Sequence, residues 1–233
     1  MRQPLTPIEK IIYNNGERLV FGKSHYIEED IRHRSSYIFF RKIIDNDIAF
    51  MKSNKMETKP ITIIDLGCGV GHGCETLSEI ENSIVFGVDS CQEAIEYARV
   101  VYTHDNISYE CLDLHKFIPI MSSYDYVVSR GVLEHIPNGL KLGFLSKWTK
   151  RLILSVPYNE VPNVNPHHVL SGIREEHFLD IDAELFYEDL KGIIYDKNNK
   201  PPKPNMIICV CTHPTLPKIA DSQVSFPIPA WKP

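Results

Sequence analysis

The sequence predicts an α/β fold, a doubly wound and mostly parallel sheet of seven strands, and three observations carry that expectation. Strand-like apolar runs alternate with helical patterns between residues 61 and 156. The first run, Ile61–Ile64, ends in Asp65 and opens into glycines at 67, 69, 71 and 73. Later runs also end in polar residues: Asp89 after the second, Asp113 after the third and Ser129 at the end of the fourth. Right-handed crossovers bring all these strand ends to one edge of the sheet, where such folds bind ligands.

Residues 1–22 read as an irregular arm containing Gly16-Glu17-Arg18, with Ser24 placed to cap the next segment. Tyr37, Phe40, Ile44, Ile48 and Met51 then recur at helical steps, with His33, Arg34, Arg41 and Lys42 on the other face. A polar connector, 52–60, precedes the first strand. Cys74, Leu77 and Ile80 give a short helix, and Ser83–Val88 the second strand. Ser90-Cys91-Gln92-Glu93 has the form of a capping box, followed by a helix through Ile95, Ala98 and Val101. Ile107, Tyr109 and Cys111 alternate as the third strand, and Tyr124–Ser129 is the fourth. A helix with Leu145 and Trp148 inward precedes the fifth strand, Arg151–Val156, which Pro157 stops.

Residues 157–182 lack a core period and read as a lid. Residues 184–195 and 205–212 have no helical pattern between them and are expected as an antiparallel hairpin, before a Pro-rich tail over 214–233. The expected organisation is an arm and helix over 1–59, a central domain over 60–213 carrying the lid after strand 5, and the tail.

At 233 residues and 43% hydrophobic content, one α/β domain with modest additions is expected. A net charge of −5 leaves no basic surplus to follow a phosphate backbone, which disfavours nucleic acid as the partner. The six cysteines form no C-x-x-C pair and read as reduced core residues. Neither a signal-like apolar core nor a membrane-length apolar run is visible, so a cytoplasmic protein with no membrane association is expected. Monomer and homodimer both stay open.

A strand running into a glycine turn and a helix is a nucleotide-cofactor site, because the backbone can approach the ligand there and free N–H groups face it. Spacing narrows the ligand. A dinucleotide fingerprint needs glycine where His72 or Cys74 stands, and the Lys-Ser/Thr pair of a phosphate-cradling loop is absent. What remains is D-x-G-x-G-x-G. DLGCGVG resembles motif I of the class I, Rossmann-like methyltransferases that use S-adenosylmethionine (SAM) and release S-adenosylhomocysteine (SAH). GVDSCQEAIEYA and YDYVVSRGVLEHIPN are similar to the segments around strands 2 and 4 of that family. Its small-molecule branch carries L-E-H where Leu133, Glu134 and His135 stand, and the arm GERLVFG and lid VPNVNPHHV resemble enzymes of glycan and natural-product pathways.

The resemblance implies SAM-dependent transfer to an oxygen or nitrogen of a small polar acceptor, a sugar or secondary metabolite. Asp65 and the turn Gly67-Cys68-Gly69-Val70-Gly71 are expected at the methionine portion, Asp89 with Ser90 at the ribose, and Asp113 with Leu114 at the adenine. Arg130 and Leu133, within the strand-4 motif, are expected beside the cofactor. His135 is the candidate general base, set against a histidine that only packs against the cofactor. His167 and His168 compete for that role or hold the acceptor, with Tyr13, Tyr37, Tyr158 and Asn159 as further acceptor contacts. No metal is expected: a divalent-ion pattern E-x-x-E-H known from some methyltransferases has Gly131 in place of its first Glu, although Glu134, His135 and a lid histidine could form a three-ligand set. The element that holds a nucleobase amine, [DNS]-P-P-[YF], is absent after strand 4, which weighs against a nucleic-acid methyltransferase. A protein methyltransferase and a SAM-binding protein without turnover both stay open at this point.

Overall fold

The computed structural model describes residues 4–16, 18–23, 27–56, 59–221 and 224–232. Side-chain alternation along β1 (Ile61–Leu66) sets its layers: Ile61 and Ile63 enter one core, Ile64 and Leu66 the other. A strand buried on both faces belongs inside a sandwich of helices. β1 lies between β2 (Ser83–Asp89) and β4 (Tyr124–Arg130), parallel to both. β3 (Ile107–Cys111) pairs in parallel with β2, and β5 (Trp148–Pro157) with β4. β6 (Ala183–Asp189), β7 (Ile194–Asp196) and β8 (Pro204–Thr212) complete the sheet, with β8 antiparallel between β5 and β6. The order is β3-β2-β1-β4-β5-β8-β6-β7.

The expected hairpin is present as β6 with β8, but the sheet has eight strands rather than seven. The 184–195 run is broken by a turn in which Asp189 Oδ1 accepts from Lys191 N and Ile193 N while Gly192 adopts φ 80°. That turn separates β7 from β6.

Helices α1 (Pro7–Asn14), α2 (Ile27–Ser53), α3 (His72–Ser78) and α4 (Gln92–Val101) cover the first core. The second is covered by α5 (Leu114–Phe117), α6 (Gly139–Phe144) and Phe178 of the lid. Four expectations change. The arm contains a helix, α1, started by a Thr6/Glu9 capping box and anchored by the fully buried Ile12. α2 begins well ahead of its periodic stretch; Ser24 lies outside the described residues. The box at Ser90–Glu93 does not form: Cys91 is the N-cap, with no side-chain capping hydrogen bond, and its N–H donates to Asp89 Oδ1 at 2.8 Å. Leu145 is 56% exposed beyond α6, and Trp148 opens β5.

A buried ion pair ties α2 to the sheet: Asp47 accepts from Arg151 Nε and Nη2, both at 2.7 Å, and from the Tyr126 hydroxyl at 3.2 Å. Removing one member of such a pair costs about 3–5 kcal/mol. The tail packs on the surface through Leu216, Ile219 and Ile228, and Ile228 exchanges backbone hydrogen bonds with Ile194. Among the described residues no helix is long and apolar enough to cross a membrane.

Candidate active site

The C-terminal ends of β1, β2 and β4 open on a cavity of about 380 Å³, a volume typical of small-ligand sites. Its floor is the glycine turn. Gly67 takes φ 78°, and a Cβ there would lie 2.3 Å from Val132. Gly69 takes φ 54°, but a Cβ there would meet nothing within 4 Å, so its backbone faces open cavity.

Asp89 fixes the turn. Its Oδ2 accepts from Gly69 N at 3.0 Å, and its Oδ1 accepts from Arg18 Nε and Nη2 at 3.0 and 2.8 Å. Arg18 comes from the arm, so the arm reaches the carboxylate that the sequence assigned to a ribose. Cys68, Ser90, Asp113, Leu114 and Arg130 also line this cavity. Asp113 caps α5 as well, accepting from His115 N at 2.9 Å.

Asp65, Gly71 and Leu133 lie outside the lining. Asp65 is fully buried under the turn, with the Tyr37 hydroxyl 3.1 and 3.0 Å from its two oxygens. Burial pushes its carboxyl up to about 7, against the Tyr37 hydrogen bond and with help from the nearby Asp89 charge. The expectation that Asp65 meets the ligand is therefore corrected: it supports the turn from beneath. Gly71 packs on Tyr109, and Leu133 is core.

Two histidines were not singled out as contacts. His33 and His72 line the first cavity, and burial followed by the Arg130 charge holds both well below the ordinary imidazole range, so they are neutral at pH 7. His72 is 6% exposed, and neither ring nitrogen has a hydrogen-bond partner among the described residues. Its ring lies 3.9 Å from that of Phe21, a contact that exists only because the arm folds back.

A second cavity of about 440 Å³ adjoins the first and shares Arg18, His33, Arg130, Gly131, His135 and His167 with it. Tyr13, Glu134, Glu160 and His168 line only the second. Arg130 is locked in place, with Nη2 3.2 Å from Glu188 Oε2 and Nε donating to Ser36 Oγ at 2.9 Å. Burial raises the Glu188 carboxyl to about 7 even beside that guanidinium. His135 ends a short 3₁₀ turn, Leu133–His135, with Nδ1 3.1 Å from the His167 carbonyl oxygen. His168 Nδ1 pairs with the Glu160 carboxylate. Val169 N and Leu170 N both donate to the Glu134 carbonyl, which fastens the lid to the 3₁₀ turn.

Of the residues expected to touch an acceptor, Tyr13, His167 and His168 line the second cavity, and Tyr37 lines the first. Tyr158 and Asn159 line neither and are corrected. The Tyr158 hydroxyl donates to Glu175 Oε2 at 3.1 Å, and the Asn159 side-chain oxygen Oδ1 accepts from Arg174 Nε. Both side chains stabilise the lid from outside.

The first cavity fits SAM on its own features: open backbone at Gly69, a carboxylate at the end of β2, Asp113 beside Leu114, and unmet hydrogen-bonding capacity at His72. Residues 63–152 match the family model described as "Methyltransferase domain". A malonyl-[acyl-carrier protein] O-methyltransferase of Bacillus cereus is 27% identical over 99 residues, 42% of this chain and 36% of that protein. A ubiquinone biosynthesis O-methyltransferase of Neisseria meningitidis is 30% identical over 82 residues, 33% of this chain and 34% of that protein. The matches thus span about a third of the length of these relatives. Among solved structures, the plantazolicin methyltransferase BpumL bound to SAH superposes with a TM-score of 0.58 at 14% identity, covering 89% of this chain and 91% of that one. The bifunctional kinase-methyltransferase WbdD superposes at 0.54 and 15% identity, covering 86% of this chain and 45% of that one. Residues 63–152 thus match a methyltransferase domain, and the chain has the Rossmann-like fold of a methyltransferase solved with SAH.

Proposed function

We propose that the protein transfers a methyl group from SAM to an oxygen or nitrogen of a small polar acceptor, a sugar or secondary metabolite, held in the second cavity. One observation carries this reading: two cavities of small-molecule size share a wall, and His135 stands at their junction. Oxygen is the favoured acceptor atom, because the curated relatives are named as O-methyltransferases.

Asp89 would accept the ribose hydroxyls, with Arg18 releasing Oδ1 to them. Asp113 would accept from the adenine amine while Leu114 covers the ring. The Gly67–Gly69 backbone and His72 would hold the amino-acid end. When bound, the cofactor supplies a methyl group already activated on a sulfonium. What remains for the protein is placement, which is worth about 7–11 kcal/mol when reacting atoms are held near 3 Å. His135 would take up the proton that a hydroxyl acceptor gives up, its ring oriented by the His167 carbonyl. Six free cysteines suit a reducing compartment, and we place the protein in the cytoplasm on that ground.

The test is SAH release from SAM over a panel of sugars, phenols and carboxylic acids, with wild type and His135→Ala. Acceptor-dependent SAH release by wild type supports the reading. Tight SAH binding with no turnover on any acceptor favours a SAM-binding protein without catalysis.

A further inference from the structure

The corner where the lid meets the 3₁₀ turn brings Glu134, His135 and His168 together. One donor atom from each lies within 4.8 Å of the other two. Donors around a tetrahedral ion of the zinc type, bound at about 2.0–2.1 Å, stand roughly 3.4 Å apart, so modest side-chain adjustment closes this group onto an ion. Glu134 is 2% exposed, the His168 side chain 8%, and His135 is half-buried, which sets the group into the cavity wall rather than on open surface.

The surroundings of the two imidazoles are the second independent feature. His135 Nδ1 is held by the His167 carbonyl, and His168 Nδ1 by the Glu160 carboxylate. A ring whose Nδ1–H is given to a carbonyl or carboxylate presents Nε2 as the ligand atom, and this second-layer pattern accompanies metal-bound histidines. The rings meet edge to face at 81°, with centroids 4.7 Å apart, so their nitrogens approach one point from different directions. The backbone fixes the same corner, through Val169 N and Leu170 N on the Glu134 carbonyl.

We propose that Glu134, His135 and His168 bind a divalent first-row transition cation at the wall of the second cavity. Two imidazoles and one carboxylate favour Zn²⁺, Co²⁺ or Mn²⁺ over Mg²⁺ or Ca²⁺, which take oxygen ligands. Three protein ligands leave at least one coordination position, and all three residues line the second cavity, so that position is open to a molecule inside it. The Asn165 amide nitrogen, 3.1 Å from His168 Nε2, has to turn aside for the ion. The site stands on side-chain geometry alone; its consequence for catalysis rests on the methyltransferase reading. There an ion would make a bound hydroxyl more acidic, its proton would pass to solvent water rather than to His135, and His135 would serve as a ligand instead of a base.

The experiment is calorimetric titration of the chelator-treated 233-residue chain with Zn²⁺ and, separately, Co²⁺, whose visible absorption reports nitrogen coordination. SAH titration of the same samples serves as the control. Wild type is expected to bind one ion, His168→Ala to lose at least about 100-fold in affinity, and Glu160→Gln to lose about 10-fold through the ring it orients. SAH binding by both variants should match wild type, which shows that they are folded. No stoichiometric ion on wild type, or equal ion affinity in wild type and His168→Ala, overturns the site. If SAH binds while no ion does, the metal inference falls and the methyltransferase reading stands. If an ion binds and SAH does not, the reverse holds.

Discussion

The first cavity, proposed to hold the cofactor, and the second, proposed to hold the acceptor, share a wall but are built by different means. The floor of the first comes from strand ends: the backbone of Gly67 and Gly69, the Asp89 carboxylate and the Asp113 cap, all set by the register of a parallel sheet. The second is enclosed by the arm and the lid, whose positions depend on side-chain ties such as Arg18 to Asp89 and on lid amides donating to Glu134. The floor of the first cavity is thus an outcome of the fold, and the enclosure of the second is an addition to it. Substitutions in the first should change ligand affinity, and those in the second should change turnover.

The largest effect belongs to the second region. His135→Ala should lower kcat by roughly 10²–10⁴-fold with any acceptor the wild type methylates, measured as SAH release. Unchanged turnover would remove His135 from the chemistry. On the cofactor side, Gly69→Ala forces a side chain into φ 54° and into the open cavity, and should weaken SAH binding about tenfold. If affinity is unaltered, the turn does not approach the ligand as the geometry implies.

Asp65 tests how the floor is supported. Its folded-state carboxyl is raised to about 7, so its favourable contribution is fully present below the ordinary carboxylate range and is lost as pH rises through 7. Asp65→Asn keeps an acceptor for Tyr37 without the charge. Relative to wild type it should gain on the order of 2–3 kcal/mol between pH 5 and pH 8, read from denaturation midpoints. An equal difference at both values would contradict the raised carboxyl. The smallest effect is expected at Tyr158→Phe, which removes a lid contact outside both cavities. Stability should fall by less than about 1 kcal/mol, with kcat/KM within about twofold of wild type. A large rise in KM would restore Tyr158 as an acceptor contact.

The same division governs what could be read from the sequence. Period-two alternation and glycine spacing are local signals, so the sheet, the turn at 67–69 and the acidic residues at 89 and 113 were legible. Asp65 was placed at the right strand end, but which way its carboxylate points depends on Tyr37, on a helix distant in sequence. His72 entered the sequence reading only as a missing glycine, since its partner ring, Phe21, reaches it through a long-range fold of the arm. Arg18 on Asp89 spans 71 residues, a pairing no local pattern encodes. Tyr158 and Asn159 stood beside a strand end as the expected contacts did, yet they turned outward because Glu175 and Arg174 offered ionic partners there. The T-P-x-E start of α1 is a local capping signal that the prolines and glycines of the arm obscure.

The most direct test of the central claim is SAH titration of wild type, Asp89→Ala and His135→Ala side by side. A strand-end cofactor cavity predicts one SAH per wild-type chain, a loss of about 100-fold at Asp89→Ala from two charge-assisted hydrogen bonds, and wild-type affinity at His135→Ala. No binding by wild type, or equal losses in both variants, would contradict the separation of the two cavities.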